Sequence, residues 1–195
     1  MMSVRTALKL GRVSNLPTVW TNVLAGMVLS GAEPSAGVVL SVGVAASLLY
    51  VAGMFLNDAF DHRWDAEHRI ERPIPMGEVA ARAVFRHKKN PAAPIVMGLC
   101  RVAVYVTAAR AAAATIAPPL YVGAGFLLSY LVMLTLIARD ETKDPKTPRL
   151  VGRLTAGVCL VDGLQILAFG SYWLAGICAV GFVLTLGLQR RVAGA

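Results

Sequence analysis

Charge is what this sequence has least of. Asp, Glu, Lys and Arg make up 15% of its 195 residues, where a soluble domain carries about 25%. Hydrophobic residues make up 56%, and the mean hydropathy is +0.62. That leaves too little polar surface to coat a water-soluble globule. Cysteine is scarce as well. Cys100, Cys159 and Cys178 stand apart in apolar runs with no C-x-x-C spacing. A disulfide framework and a thiolate metal site are therefore not implied, and the three read as buried small hydrophobes. No period-two alternation stands out, which argues against a β-barrel. The N-terminus is basic, with Arg5, Lys9 and Arg12, but no A-x-A-like site leads into a polar mature domain. The first apolar stretch therefore reads as an uncleaved helix.

What is present is a series of long apolar runs. A span needs about 20 mostly apolar residues, and six stretches are candidates: about 16–29 with its flanks, 37–56, 93–116, 120–138, 154–169 and 173–188. The last two are short and closely joined, so a re-entrant hairpin is an alternative for them. The expectation is an all-α, multi-pass transmembrane bundle of about six spans, forming a single membrane domain over 1–195.

The connections alternate in character. Residues 31–35 hold Glu33 as their only charge and 117–119 hold none, whereas 57–91 and 139–153 are crowded with charge. Seventeen of the 19 Lys and Arg residues lie in those two charged segments, the N-terminal segment and the tail at Arg190 and Arg191. The positive-inside rule then puts both termini and both charged segments on the cytoplasmic side of the inner (plasma) membrane. This distribution explains the net charge of +8 better than a nucleic-acid partner does, because acids alternate with the basic residues in both segments.

Nine of the 11 acidic residues sit in the same two segments, and orientation does not require them there, since acids contribute little to it. If the second span continues as a helix, Asn57, Asp61 and Asp65 recur at i, i+4 and i+8, and Asp58, Asp61 and Asp65 at i, i+3 and i+7. Both patterns gather carboxylates on one face. Like charges so placed repel, more strongly near a low-dielectric boundary. Mg²⁺, which favours one or two carboxylates with phosphate and water, would relieve the repulsion. A solvated helix end whose acids pair with Arg63, Arg69 and Arg72 explains the spacing equally well.

The wider context separates these readings. Asn57-Asp58-x-x-Asp61-x-x-x-Asp65, followed by Arg72-Pro73-Ile74-Pro75-x-Gly77, resembles the first signature of the UbiA superfamily of intramembrane prenyltransferases. The opening run from Arg12 to Asn22 resembles the family's first helix, with Asn22 at the place of an active-site Asn. Asp140-Glu141-Thr142-Lys143-Asp144 has the form of the family's second aspartate motif. His87-Lys88-Lys89-Asn90-Pro91 resembles its basic stretch. The run Asn90-Pro91-x-x-Pro94-x-x-Met97-Gly98-x-Cys100-Arg101 is similar to a bacterial branch found in biosynthetic clusters, some of whose members are assigned to moving a precursor. The chain is internally shortened against the family pattern of about nine spans, because 79–85 is too short for a crossing.

The resemblance implies Mg²⁺-dependent transfer of a prenyl group from an isoprenyl (allylic) diphosphate to an aromatic or other lipophilic acceptor. It implies Asp61, Asp65, Asp140 and Asp144 as catalytic. Asn57, Asp58, Asp61, Asp65, Asp140 and Asp144 are implied as metal ligands, and Asn22, Asn57, Arg72, Lys89 and Lys143 as diphosphate contacts. A non-catalytic carrier of a precursor, or an inactive shortened homologue, are the alternatives.

Arg101 falls inside a predicted span, where a charge costs roughly 2.5–3.5 kcal/mol on insertion scales. It needs a function or a buried partner, and Asp162 is a candidate for the latter. Arg110, nearer a span end, reads as snorkelling. His62 and His68 read as solvated loop residues, and Trp20, Trp64 and Trp173 as an interfacial belt.

Overall fold

The computed structural model describes residues 4–68, 93–113, 115–139 and 147–192. Seven α-helices make it up: α1 (Val4–Leu10), α2 (Leu16–Leu29), α3 (Ala36–His68), α4 (Ala93–Ala112), α5 (Pro118–Arg139), α6 (Thr147–Ala168) and α7 (Tyr172–Arg191). A 3-10 turn, Val13–Asn15, leads into α2, where Pro17 takes an early helical position that needs no N–H. No strand occurs among the described residues. The chain is an all-α membrane bundle.

Helices α2 to α7 correspond one by one to the six candidate spans. Four are long and apolar enough to cross a bilayer: α3 over Ala36–Phe55, α5 over Pro118–Ala138, α6 over Thr147–Ala168 and α7 over Tyr172–Arg191. The other two are the 14-residue α2 and α4, which carries Arg101 and Arg110. The last two candidate spans form separate helices of 22 and 20 residues, not one shallow re-entrant hairpin. Helix α6 begins at Thr147, so residues 147–153, read from the sequence as part of a loop, are helical.

Short turns join the helices at one end of the bundle. Gly31, with φ 79°, follows α2, and Gly170, with φ 80°, follows α6. A left-handed residue there satisfies the last helical carbonyls at no Cβ cost. Pairwise contacts fix the directions. Thr18 and Asn22 meet Arg101 while Gly26 meets Tyr105 and Ala108, so α2 and α4 run parallel. Gly152 meets Gln189 while Gly163 meets Cys178 and Ala175, so α6 and α7 run antiparallel.

Helix α2 occupies the middle. Eleven of its residues are buried, and it touches α3, α4, α5, α6 and α7. Small residues allow this crowding. A Cβ on Gly26 would stand 2.6 Å from the Tyr105 carbonyl oxygen and 2.9 Å from its Cα, so the α2 and α4 backbones nearly touch. The Trp20 ring lies against Gly43 of α3, where a Cβ would come within 2.7 Å of it. Trp20 is thus a packing residue between helices, unlike Trp173, which is exposed at the start of α7. Trp64 has no described side chain. Cys159 and Cys178 are buried, but Cys100, expected to be buried too, is exposed. Its position on α4 faces outward, where lipid and a hydrophobic interior are equally apolar solvents.

Helix α3 is the longest element, at 33 residues, or about 50 Å at 1.5 Å per residue. A bilayer core is about 30 Å thick. The apolar stretch runs through Leu56, yet the helix continues to His68. Residues 57–68, read from the sequence as the start of a charged connection, are therefore helical, and His62 and His68 are not loop residues. This extension leaves from the end of the bundle opposite the short turns. The last residue of α5, Arg139, and the first of α6, Thr147, lie at that same end.

Candidate functional site

Helical backbone through His68 gives residues 57, 61 and 65 the one-turn succession expected of one face. Only the backbone is described there. Arg72, Lys89, Asp140, Lys143 and Asp144 lie outside the described residues. Among the described residues no group of three or more His, Cys, Asp and Glu could hold a metal ion.

Asn22 is the one proposed site residue whose side chain the structure describes, and it sits in a buried polar cluster at mid-bundle. The residue is fully buried. Its Nδ2 donates to both carboxylate oxygens of Asp162, at 3.0 and 2.8 Å. Its Oδ1 accepts from Arg101 Nη1 at 2.9 Å. The same Nη1 donates to Thr18 Oγ1 at 2.8 Å, and the Thr18 hydroxyl donates onward to the Asn15 carbonyl at 2.7 Å. Tyr105, also fully buried, donates its hydroxyl to Asp162 Oδ1. The Arg101 guanidinium lies over the Tyr50 ring, 5.3 Å from its centroid, within cation–π range.

Three helices, α2, α4 and α6, thus meet through one set of directed hydrogen bonds, and α3 joins them through the Tyr50 ring. The expected partnership of Arg101 and Asp162 exists, but Asn22 stands between them, and no ion pair joins the two among the described residues. The amide fixes the polarity: Asp162 accepts only, so Asn22 must turn its NH₂ toward it and its carbonyl toward Arg101. A buried carboxylate without such donors would cost several kcal/mol. Arg110, by contrast, is exposed in the last turn of α4, as a snorkelling residue should be.

Thr18, Tyr105 and Gln189 join this network without any motif that marked them in the sequence. Gln189 of α7 donates to Asn15 Oδ1 at 3.0 Å and to the Gly152 carbonyl at 3.1 Å, tying α7 to the start of α2 and to α6. The signal available was a polar side chain inside an apolar span, which Asn22, Tyr105 and Asp162 all show. One turn beyond Asp162, the Gln165 amide is buried without a hydrogen bond of good geometry among the described residues and rests against Gly123 of α5.

Comparison with curated proteins finds a similarity of 38% identity over 80 residues to digeranylgeranylglyceryl phosphate synthase of Methanopyrus kandleri, covering 41% of this chain and 29% of that protein. That relative is a UbiA-superfamily prenyltransferase. The UbiA resemblance of the motifs is therefore met again by an independent comparison, over part of the chain. The matched region spans less than a third of the relative's own length. No family model and no solved structure matches the chain.

Proposed function

We propose that this UbiA-like chain binds an isoprenyl diphosphate at the bundle end where α3 emerges, and passes the prenyl group to an aromatic or other lipophilic acceptor. The observation that carries this reading is the helical continuation of α3 through the N-D-x-x-D-x-x-x-D stretch, beyond the apolar run that ends at Leu56. It leaves the bundle at the end where α5 stops at Arg139 and α6 starts at Thr147.

The donor types suit Mg²⁺, which takes hard carboxylate and amide oxygens together with phosphate. Asn57, Asp58, Asp61 and Asp65 would hold one ion, and Asp140 and Asp144 a second. When bound, Mg²⁺ would neutralise charge developing on the leaving pyrophosphate. Arg72, Lys89 and Lys143 would bind phosphate oxygens directly. The apolar helices would receive the isoprenoid tail and keep water from the reacting carbon. The concentration of Lys and Arg at this end supports a cytoplasmic position for it and for both termini, at the plasma membrane.

A second reading, a non-catalytic carrier of a lipophilic precursor, is favoured by one observation. Asn22, assigned to diphosphate by resemblance, has its carboxamide bonded to Arg101 and Asp162 instead.

The test uses membranes containing the protein, a radiolabelled allylic diphosphate and a mixture of aromatic acceptors. Labelled product that needs Mg²⁺, stops on chelation and is lost in Asp61→Ala supports prenyl transfer. Mg²⁺-dependent diphosphate binding with no product from any acceptor supports the carrier. Absence of both binding and product ends both readings and leaves the inactive shortened homologue.

A further inference from the structure

Arg101 is held in an unusual way for a residue whose task would be to balance Asp162. It lies on the ninth position of α4, about 12 Å along the helix, and is half-buried. Both side chains that accept from its Nη1 have their own protons committed elsewhere. The Thr18 hydroxyl gives its proton to the Asn15 carbonyl, and Asn22 gives its amide protons to Asp162. Tyr105 holds Asp162 from the far side. One guanidinium nitrogen is therefore seated against two fixed acceptors, and the guanidinium lies over the Tyr50 ring. The remaining donors, on Nη2 and Nε, make no hydrogen bond among the described residues.

A direct contact with Asp162 would have quenched the charge most fully. The interposed amide keeps the two charges apart, and the guanidinium edge carrying Nη2 and Nε faces no hydrogen-bond acceptor among the described residues. A fixed, planar fork of N–H groups in an apolar bundle matches a carboxylate or phosphate, which takes two parallel hydrogen bonds. An ionisable residue kept inside a membrane at a cost of a few kcal/mol marks a binding or transport site by default.

We propose that Arg101 is a mid-membrane site for the oxyanion head group of an amphiphile, a carboxylate or phosphate joined to an apolar tail. The site is distinct from the acidic stretch of α3 and does not depend on the prenyl-transfer reading. Thr18 and Asn22 act as positioning residues for the guanidinium, and the tail lies along the apolar helix faces. Two sources share this chemistry: a membrane phospholipid, and a single-chain acid that is itself cargo or substrate.

The experiment measures equilibrium binding of radiolabelled dodecyl phosphate to the purified full chain in an uncharged maltoside detergent. EDTA is present throughout, so that metal-dependent diphosphate binding does not contribute. Saturable binding is expected, displaced by unlabelled dodecyl phosphate and not by dodecanol. Arg101→Gln should weaken it about tenfold or more, the size of a charge-assisted hydrogen bond. Arg101→Lys keeps the charge without the fork and should weaken it several-fold. It also serves as the informative variant if Arg101→Gln fails to fold, which a thermal melt reports. Displacement by dioleoyl phosphatidic acid assigns the site to phospholipid, and its failure to displace assigns it to a single-chain acid. Equal affinity in the wild type and in Arg101→Lys or a folded Arg101→Gln overturns the proposal. So does equal competition by dodecanol, or the absence of saturable binding.

Discussion

Arg101 and Asp162 are coupled through a single carboxamide: Asn22 accepts from the first and donates to the second. Removing either charge strands the other in an apolar bundle. Asp162→Ala should lower stability by about 1–3 kcal/mol, the range for leaving a buried polar group unsatisfied. The double variant Arg101→Met/Asp162→Leu should lose less than the sum of the single losses, because no unpaired charge remains. Denaturation in mixed micelles measures both, and strict additivity would show that the two residues do not communicate.

Tyr105 offers a cleaner probe. Its ring is packed with no exposure, and only its hydroxyl reaches Asp162. Tyr105→Phe keeps the packing and deletes one hydrogen bond to a charged acceptor, for a loss of about 1.5–3 kcal/mol. The same denaturation series reports it. A loss near zero would mean that Asn22 and Thr21 satisfy the carboxylate without it.

Gln165 points the other way. Its amide is buried beside the Tyr105 hydroxyl, and neither its nitrogen nor its oxygen makes a hydrogen bond of good geometry among the described residues. Gln165→Met has similar length and no polar atoms to desolvate, so it should raise the melting temperature in detergent, by about 1–3 kcal/mol in stability. Destabilisation of that size would show that the amide does have a partner in the folded protein.

Gly26 sets how close α2 and α4 approach. Any side chain there meets the Tyr105 backbone, which cannot swing aside as a flexible side chain would. Gly26→Val should destabilise by about 1–3 kcal/mol or more through overpacking. Gly176, where nothing stands within 4 Å of an added Cβ, is the control: Gly176→Ala should be tolerated. The fraction of protein recovered as a monodisperse species distinguishes the two.

Sidedness is testable directly. Glu33 lies in the short connection after α2, and Arg190 in the last turn of α7 at the opposite end of the bundle. In a chain freed of its native cysteines, Glu33→Cys should react with an impermeant maleimide from outside the cell. Arg190→Cys should react only after the membrane is opened. Labelling of both from one side would contradict the alternating topology.

Much of the architecture was legible because the apolar runs are long and separated by charge. Each candidate span from residue 16 onward became a helix. Boundaries were less visible where charge continues along a helix, as at residues 57–68 of α3 and 147–153 of α6. Helical geometry tolerates charge once the chain leaves the apolar layer, and hydropathy alone does not report that. The UbiA-like motif could be read as a pattern in one stretch of chain. The hub around Asn22 could not, because its members come from four helices. Only the cost of Arg101 in a span hinted at it, and that pointed to Asp162 without revealing the amide between them. Cys100 was misjudged because apolar surroundings do not distinguish lipid from protein interior.

The hub also dictates an order of events during synthesis. Asn22 and Asp162 are 140 residues apart. At roughly 5–20 residues per second, helix α2 waits about 7–28 s in the ribosome's shadow before its carboxylate acceptor is made. Through that interval its polar face needs a provisional companion, in the insertion machinery or in Arg101, which arrives earlier. Substituting Asn22 should therefore change how quickly the nascent chain becomes protease-resistant, as well as how stable the finished protein is.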